Sequence, residues 1–128
     1  MTDATGGKDR AALIRRCFDA YRTKQRELLD DMFTDDFTFT SPYDDGIDKA
    51  TYFERCWPNS VLIKENVIEK LFVEGDEAFV QYRCLAANGH EFRNTEFFRF
   101  SGDRIRSVDV YFGASYRDGR FEAKAIAG

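Results

Sequence analysis

Histidine is almost missing from this chain, with His90 its single example, and the three cysteines Cys17, Cys56 and Cys84 lie far apart. Without a second histidine there is no two-histidine metal site, and the cysteine spacing fits no zinc motif, so no metal is expected. An odd, scattered set of cysteines makes no disulfide framework. It points to a reducing compartment, and the cytoplasm is the expected location. Basic excess is missing too: 19 Lys and Arg stand against 23 Asp and Glu, for a net charge of −4. A protein that tracks phosphates needs a basic face, so no nucleic-acid partner is expected. No apolar run approaches the ~18 residues that span a bilayer, and no secretory apolar core opens the sequence, so no membrane association is expected. A glycine-rich phosphate loop is also lacking, which leaves a nucleotide cofactor without support. There is no internal repeat and no low-complexity tract.

Aromatic rings are what the chain has in quantity. Thirteen Phe help bring the aromatic share to 16% of 128 residues. That length suits one domain with a core that needs no staples. So many rings in one small domain imply either a ring-packed core or an apolar cavity lined by rings. A flexible arm is expected over 1–8, the folded domain over 9–117 and a tail over 118–128.

Hydrophobic periodicity divides the domain into a helical first half and a strand-rich second half. Helix one is expected from about Asp9 to Thr23, with Ile14, Cys17, Phe18 and Tyr21 on one stripe. A short helix follows over Glu27 to Phe33. Phe37, Phe39 and Ser41 alternate with Thr38 and Thr40 as a strand stopped by Pro42. Tyr43 to Gly46 reads as a loop. Asp48 is the expected N-cap of a third helix ending at Trp57, just before Pro58. Strands near 64–74, 77–87, 91–101 and 104–116 are separated by Gly75-Asp76, Asn88-Gly89 and Gly102-Asp103, which are tight-turn pairs. Consecutive hairpins make an antiparallel meander, and helices over such a sheet make an α+β layer architecture. His90, beside a turn, reads as an exposed turn residue.

One carboxylate stands out against this pattern. Alternate residues of a strand share a face, so Phe92, Asn94, Glu96, Phe98 and Phe100 fall together, with Arg93, Phe97 and Arg99 on the other side. Glu96 therefore sits among rings on the inward face. Burying an unpaired charge is costly, so the group either finds a partner, such as a core Tyr or Asn, or stays protonated. Lying at a cavity rim is the third possibility. A neutral carboxylic acid in an apolar cavity is a device for holding a developing oxyanion. On β-strand parity Tyr82 and Cys84 point inward, and Asp109 points outward with Tyr111, where it can pair with Arg99 or Arg93. The Tyr43-Asp44-Asp45 loop offers two further carboxylates, either in simple turn roles or folded inward as a base.

Two helices, then Phe33-Thr-Asp-Asp-Phe-Thr-Phe-Thr-Ser-Pro42, Gly46 followed by Tyr52-Phe53, Glu96-Phe-Phe-Arg-Phe100 with Ile105, and Val108-Asp-Val-Tyr-Phe-Gly113 resemble the nuclear transport factor 2-like superfamily. This is the SnoaL-like and ketosteroid-isomerase-like fold, and the resemblance spans about Asp9 to Gly113. It implies an α+β cone, with three N-terminal helices packed on a curved antiparallel sheet and closing a conical pocket. In the isomerases a strand carboxylic acid donates to the enolate oxygen, and Glu96 falls at that position. Their base precedes the proline that ends the first strand, and here that residue is Ser41. Their helix-one tyrosine aligns with Cys17, with Tyr21 one turn further on. These changes argue against steroid isomerisation by that mechanism.

The resemblance also sets out which residues should line the pocket. Cys17 and Tyr21 would come from helix one, Phe39, Ser41 and Tyr43 from the first strand and its exit. Phe53 and Trp57 would come from the third helix. Tyr82, Cys84, Asn94 and Phe98 would come from the middle strands, with Val110 and Phe112 from the last. The expected activity is cofactor-free acid–base chemistry of an isomerase, cyclase or dehydratase on a small apolar or cyclic molecule, with Glu96 as acid and Asp44 or Asp45 as base. The competing expectation is a non-catalytic ligand carrier or a dimeric interaction module. Related proteins pair through the outer sheet face, and outward Phe97 and Tyr111 lead to the expectation of a homodimer there.

Overall fold

The computed structural model of the chain describes residues 2–122, with side chains described over 10–121. Helix α1 spans Thr2–Arg22, so the stretch expected as an arm is helical backbone from Thr2 onward. Then follow α2 (Arg26–Met32), β1 (Phe33–Ser41), β2 (Asp44–Asp48), α3 (Lys49–Arg55) and a 3-10 segment (Trp57–Leu62). The meander is β3 (Ile63–Glu74), β4 (Glu77–Ala86), β5 (Glu91–Ser101) and β6 (Arg104–Arg117), closed by a short β7 (Arg120–Glu122). Three α-helices and a curved, mostly antiparallel sheet make an α+β fold. The helices are not one N-terminal block, because α3 lies between β2 and β3.

Each helix is set by local chemistry. On α1 the predicted stripe holds: Ile14 and Phe18 are buried, and the Phe18 ring meets Tyr82 edge-on at 4.7 Å. Asp48 caps α3 as expected, accepting from the Thr51 N–H at 2.8 Å and so satisfying one of the helix's unpaired N-terminal donors. With Pro58 two residues beyond Cys56, the α-helix stops at Arg55 and the chain tightens into the 3-10 segment. Inside, Phe33 stacks on Phe37 at 3.8 Å, and Tyr52 of α3 packs against Phe33, Phe37 and Phe39. The rings of β1 thus anchor α3 to the sheet.

Sheet order is β2-β1-β6-β5-β4-β3, with β7 on β6. The pairing of β1 with β6 is parallel, Phe39 opposite Val108, which corrects the expectation of a wholly antiparallel sheet. The chain passes through β2, α3 and the meander before returning to β1, a crossover long enough for a parallel pair. The loop expected at 43–46 is likewise corrected. Pro42 and Tyr43 form the turn, and Asp44 onward folds back as β2, with Ile47 opposite Phe39. The tail expected from 118 begins as a hairpin instead. Asp118 and Gly119 both hold positive φ, as a type I′ turn needs, so β7 pairs with β6. Residues beyond Glu122 lie outside those described.

Two of the predicted hairpins close in two residues, with Glu74 opposite Glu77 and Ser101 opposite Arg104. Gly75 and Gly102 take the positive φ that the first position of a type II′ turn requires. Arg10 of α1 ties both turns together, donating to the carbonyl oxygens of Gly75 at 2.5 Å and Gly102 at 3.0 Å. The third hairpin is longer than Asn88-Gly89 suggests, because Ala86 N–H closes on the His90 carbonyl around a wider loop. His90 is buried, at 9% exposure, rather than exposed: Asn88 Oδ1 accepts its N–H, and Arg117 reaches its Nδ1 at 3.2 Å.

Between β5 and β6 the register shifts between Phe92 and Asn94, and Gly113 stands at that irregularity. A Cβ at Gly113 would collide with the backbone carbonyl of Arg93. Gly113→Ala should therefore lower stability by about 1–3 kcal/mol, since backbone cannot yield as a side chain can. Urea unfolding of the two proteins measures it, and an unchanged midpoint would refute the close approach.

Candidate active site

Parity along β5 does what the sequence leads one to expect. Phe92, Asn94, Phe98 and Phe100 are buried, Arg93 is exposed, and Glu96 shares the buried face. The accessible part of Glu96 opens into a cavity of about 90 Å³ between helices and sheet. Rings make much of the wall: Phe18 and Tyr21 from α1, Tyr52 from α3, Phe37 and Phe39 from β1, Phe98 from β5. Glu96 is the one carboxylate among the described residues that line it.

A chain of hydrogen bonds supports that carboxylate. Tyr82 Oη donates to Glu96 Oε2 at 2.6 Å and accepts from Asn94 Nδ2 at 3.1 Å. Asn94 Oδ1 accepts from the Gly113 N–H at 3.4 Å. Tyr82 and Asn94 are direct cross-strand partners on β4 and β5, with Glu96 two residues further along the same face. Of the situations foreseen for Glu96, the structure shows pairing with a core Tyr, and the residue also lines the cavity.

Electrostatics follow from burial. Desolvation pushes the Glu96 carboxyl from its ordinary 4.5 up to about 7, and the Tyr82 hydrogen bond keeps it from rising further. Burial, then the Glu96 charge, raises the Tyr82 hydroxyl well above its ordinary range. The same two causes raise the Cys17 thiol and bring Cys84 to about 12. Both thiols stay protonated near neutrality and act as small apolar wall groups rather than nucleophiles. Glu96 is left as the group on this wall that can change charge near neutral pH.

The expected pocket residues divide. Cys17, Tyr21, Phe39, Tyr82, Cys84, Asn94, Phe98 and Val110 line the cavity together with Glu96. Ser41 does not, because the register shifts between Phe39 and Ser41 and breaks the alternation. Its Oγ donates to Asp44 Oδ2 at 3.3 Å instead. Tyr43 is exposed and packs on Phe112 at 5.6 Å, so both stand away from the cavity wall. Phe53 and Trp57 pack behind it, ring against ring at 6.1 Å, with Arg26 over Phe53.

Neither candidate base reaches Glu96's side of the wall. Asp45 is exposed on β2. Asp44 is inward, with an 8% exposed side chain, but is tied to Arg55 by an ion pair at 2.7 Å and accepts from the Cys56 thiol at 3.7 Å. Cys56 therefore faces Asp44, and burial, then the Asp44 charge, pushes its thiol to about 12. The sequence reading missed Asn66, which lines the cavity from β3 and donates to the Phe18 carbonyl at 3.3 Å. No sequence signal pointed to it: counting back from the Glu74–Glu77 turn leaves Asn66 outward, and only the register shift between Ile68 and Lys70 sets it opposite inward Cys84.

The SnoaL-like domain model matches residues 14–108, and the chain belongs to that family. No curated protein matches it. Among solved structures, a nuclear transport factor 2-like protein of unknown function from Cytophaga hutchinsonii superposes with a TM-score of 0.67 at 22% identity, over 79% of this chain and 87% of that one. A protein from Kribbella flavida provisionally named a ketosteroid isomerase gives 0.73 at 15% identity, over 87% and 82%. A provisionally named SnoaL-like polyketide cyclase from Jannaschia gives 0.68 at 18% identity, over 83% and 86%. These likenesses establish a shared fold.

The Glu96 shift has a definite sign in stability. Its folded value, about 7, lies above the unfolded 4.5, so its stabilising contribution is complete below about pH 4.5 and is lost as pH rises through about 7. The full swing is on the order of 3 kcal/mol. Glu96→Gln should be flat in this window, so its stability relative to wild type should climb between those pH values. Denaturation midpoints of the pair, measured across the range, would show a constant difference if Glu96 were not perturbed.

Proposed function

We propose that this SnoaL-like domain binds a small organic molecule in the ring-lined cavity and acts on it by acid–base chemistry, without a cofactor, as an isomerase, cyclase or dehydratase. The observation that carries this reading is Glu96: a carboxyl poised near neutrality, held by Tyr82 at 2.6 Å, and open to the cavity. A group whose pKa lies near the working pH is suited to both give and take a proton. Cavity size points to a compact ligand. An apolar cavity of ~150 Å³ takes a benzene ring. One of about 90 Å³ suits a single ring at most, with some movement of the lining rings. Asp44, tied to Arg55, is left without a base role, so Glu96 carries the proton transfer alone.

The absence of a second carboxylate from the described cavity lining favours the competing reading, a carrier that holds the ligand without turning it over. A panel of cyclic ketones and phenols, screened by thermal shift and by product analysis, separates the two. An enzyme loses about 100- to 1,000-fold in kcat on Glu96→Gln while keeping ligand-induced stabilisation. Stabilisation with no turnover in the wild type establishes the carrier, and no stabilisation by any of the panel removes support for both.

For location we propose the cytoplasm, since the three cysteines are free and no described helix is long and apolar enough to cross a membrane. For assembly we propose a homodimer through the outer sheet face. Phe79 there meets Phe97 at 4.7 Å, Phe72 and Tyr111 are exposed, and Arg99 pairs with Asp109 at 3.6 Å. An apolar row with its charges already neutralised suits a self-complementary interface of about 1,200–2,000 Å². Light scattering should return twice the chain mass, and Phe97→Asp should shift it toward the monomer. A monomer mass for the wild type at tens of micromolar would sink the assembly.

A further inference from the structure

The hydrogen-bond chain behind Glu96 has a direction. Gly113 offers an N–H, which can only donate, so the Asn94 atom that meets it at 3.4 Å is the carbonyl oxygen. The amide nitrogen is then the atom that faces Tyr82, and it donates at 3.1 Å. With its oxygen receiving that bond, Tyr82 directs its own hydrogen to Glu96 Oε2 at 2.6 Å. Glu96 Oε1 makes no hydrogen bond among the described residues and keeps accessible surface in the cavity.

We infer that Asn94, acting through Tyr82, fixes the acid proton of Glu96 on Oε1, so that the cavity takes a compact molecule bearing a carbonyl-type acceptor. The inference rests on the reading of Glu96 as the acid of the site. Oε2 is occupied as an acceptor, so a protonated Glu96 presents its O–H from the other oxygen. The groups that face it are Cys17 on α1, Tyr21 on the same helix, Tyr52 on α3, and Tyr82 and Cys84 on β4. Burial raises all five, so none is charged near neutrality and none competes as an ionic partner. A ligand carbonyl would meet a single donor in a dry, ring-lined space. Once Glu96 ionises, the same oxygen becomes an acceptor and repels that carbonyl. Asn94 is in this sense a positioning residue: it touches neither ligand nor Oε1, but it sets which way Tyr82 points.

Carbon NMR titration of the Glu96 carboxyl tests the relay without any ligand. Tyr82→Phe should raise the carboxyl pKa by about 1–2 units, the value of one hydrogen bond to a charged group. Asn94→Leu should raise it by roughly a few tenths of a unit, because a polarised Tyr82 is a better donor. Added to Tyr82→Phe, the Asn94 change should shift nothing further. Asn94→Ser serves if the leucine variant does not fold, with the same expectation. A shift of equal size in both backgrounds, or none in either, overturns the positioning role. A wild-type Glu96 that titrates near its ordinary value overturns the acid reading itself. The ligand class is tested with cyclohexanone, followed by chemical-shift perturbation at about pH 5.5 and pH 8.5. Wild type should bind at least tenfold more weakly at the higher pH. Glu96→Gln, which keeps an acceptor for Tyr82 and a donor toward the cavity, should bind alike at both. Equal wild-type binding at both pH values overturns the donor assignment while leaving cavity binding intact. No binding at either, with the titration cycle as expected, overturns the carbonyl class alone.

Discussion

A carboxyl group withdrawn from water is the constraint to which this molecule is built. An unpaired buried carboxylate carries a penalty of several kcal/mol, and the hydrogen-bond chain behind Glu96 acts to reduce it. Tyr82 donates to it, Asn94 holds Tyr82, and the N–H of Gly113 holds Asn94. The last of these depends on the register shift between β5 and β6, where a side chain on Gly113 would strike Arg93. The requirement of one acid thus reaches across three strands. It also pins the register. A slip of one residue would turn Glu96 out to solvent and bring Phe97 inward, exchanging every side chain of β5 between faces.

The aromatic wall and the acid depend on each other. Rings exclude water and lower the local dielectric, which raises the carboxyl pKa and also strengthens any hydrogen bond made inside. Rings are large, and in a small domain they fill space. Phe33, Phe37 and Tyr52 pack so closely that the cavity retained is small. The same residues that raise the Glu96 carboxyl therefore restrict the space in front of it. On the proposed reading, a selectivity for compact ligands is a consequence of ring packing and needs no separate device.

Much of this was legible in the sequence, for reasons that can be named. Strand parity placed Glu96, Asn94 and Phe98 inside and Asp109 beside Arg99 outside, because period-two alternation survives wherever pairing is regular. The cap at Asp48 and the turns at Gly75 and Gly102 were readable because each depends on residues adjacent in sequence. What escaped depends on distant pairing. The parallel partnership of β1 with β6 joins segments some seventy residues apart in numbering, Phe39 with Val108, and nothing local announces it. Ser41 looked inward by parity, but a register shift just before it is invisible without the partner strand. His90 is buried, with Arg117 from another strand on its ring nitrogen. The β7 hairpin is a different kind of miss, since Asp118-Gly119 carried the turn signal openly.

The fate of Asp44 limits what chemistry the proposed site can perform. Its carboxylate is inward and close to Ser41 and Cys56, but Arg55 holds its charge as an ion pair at 2.7 Å. That carboxylate is occupied by the guanidinium, and none of its contacts brings it to the cavity wall beside Glu96. With one titrating group left, a proton taken from a ligand must return from the same carboxyl, or be held there while the ligand rearranges. Reactions that need an acid and a base at once on opposite sides of a ligand are poorly served by such a site. Those in which one group removes a proton from one atom and returns it to a nearby one are well served, provided the ligand can turn little. On the proposed reading, the closeness of the ring packing meets that condition, which would favour a short proton shift within a small, tightly held molecule over the joining of two reactants.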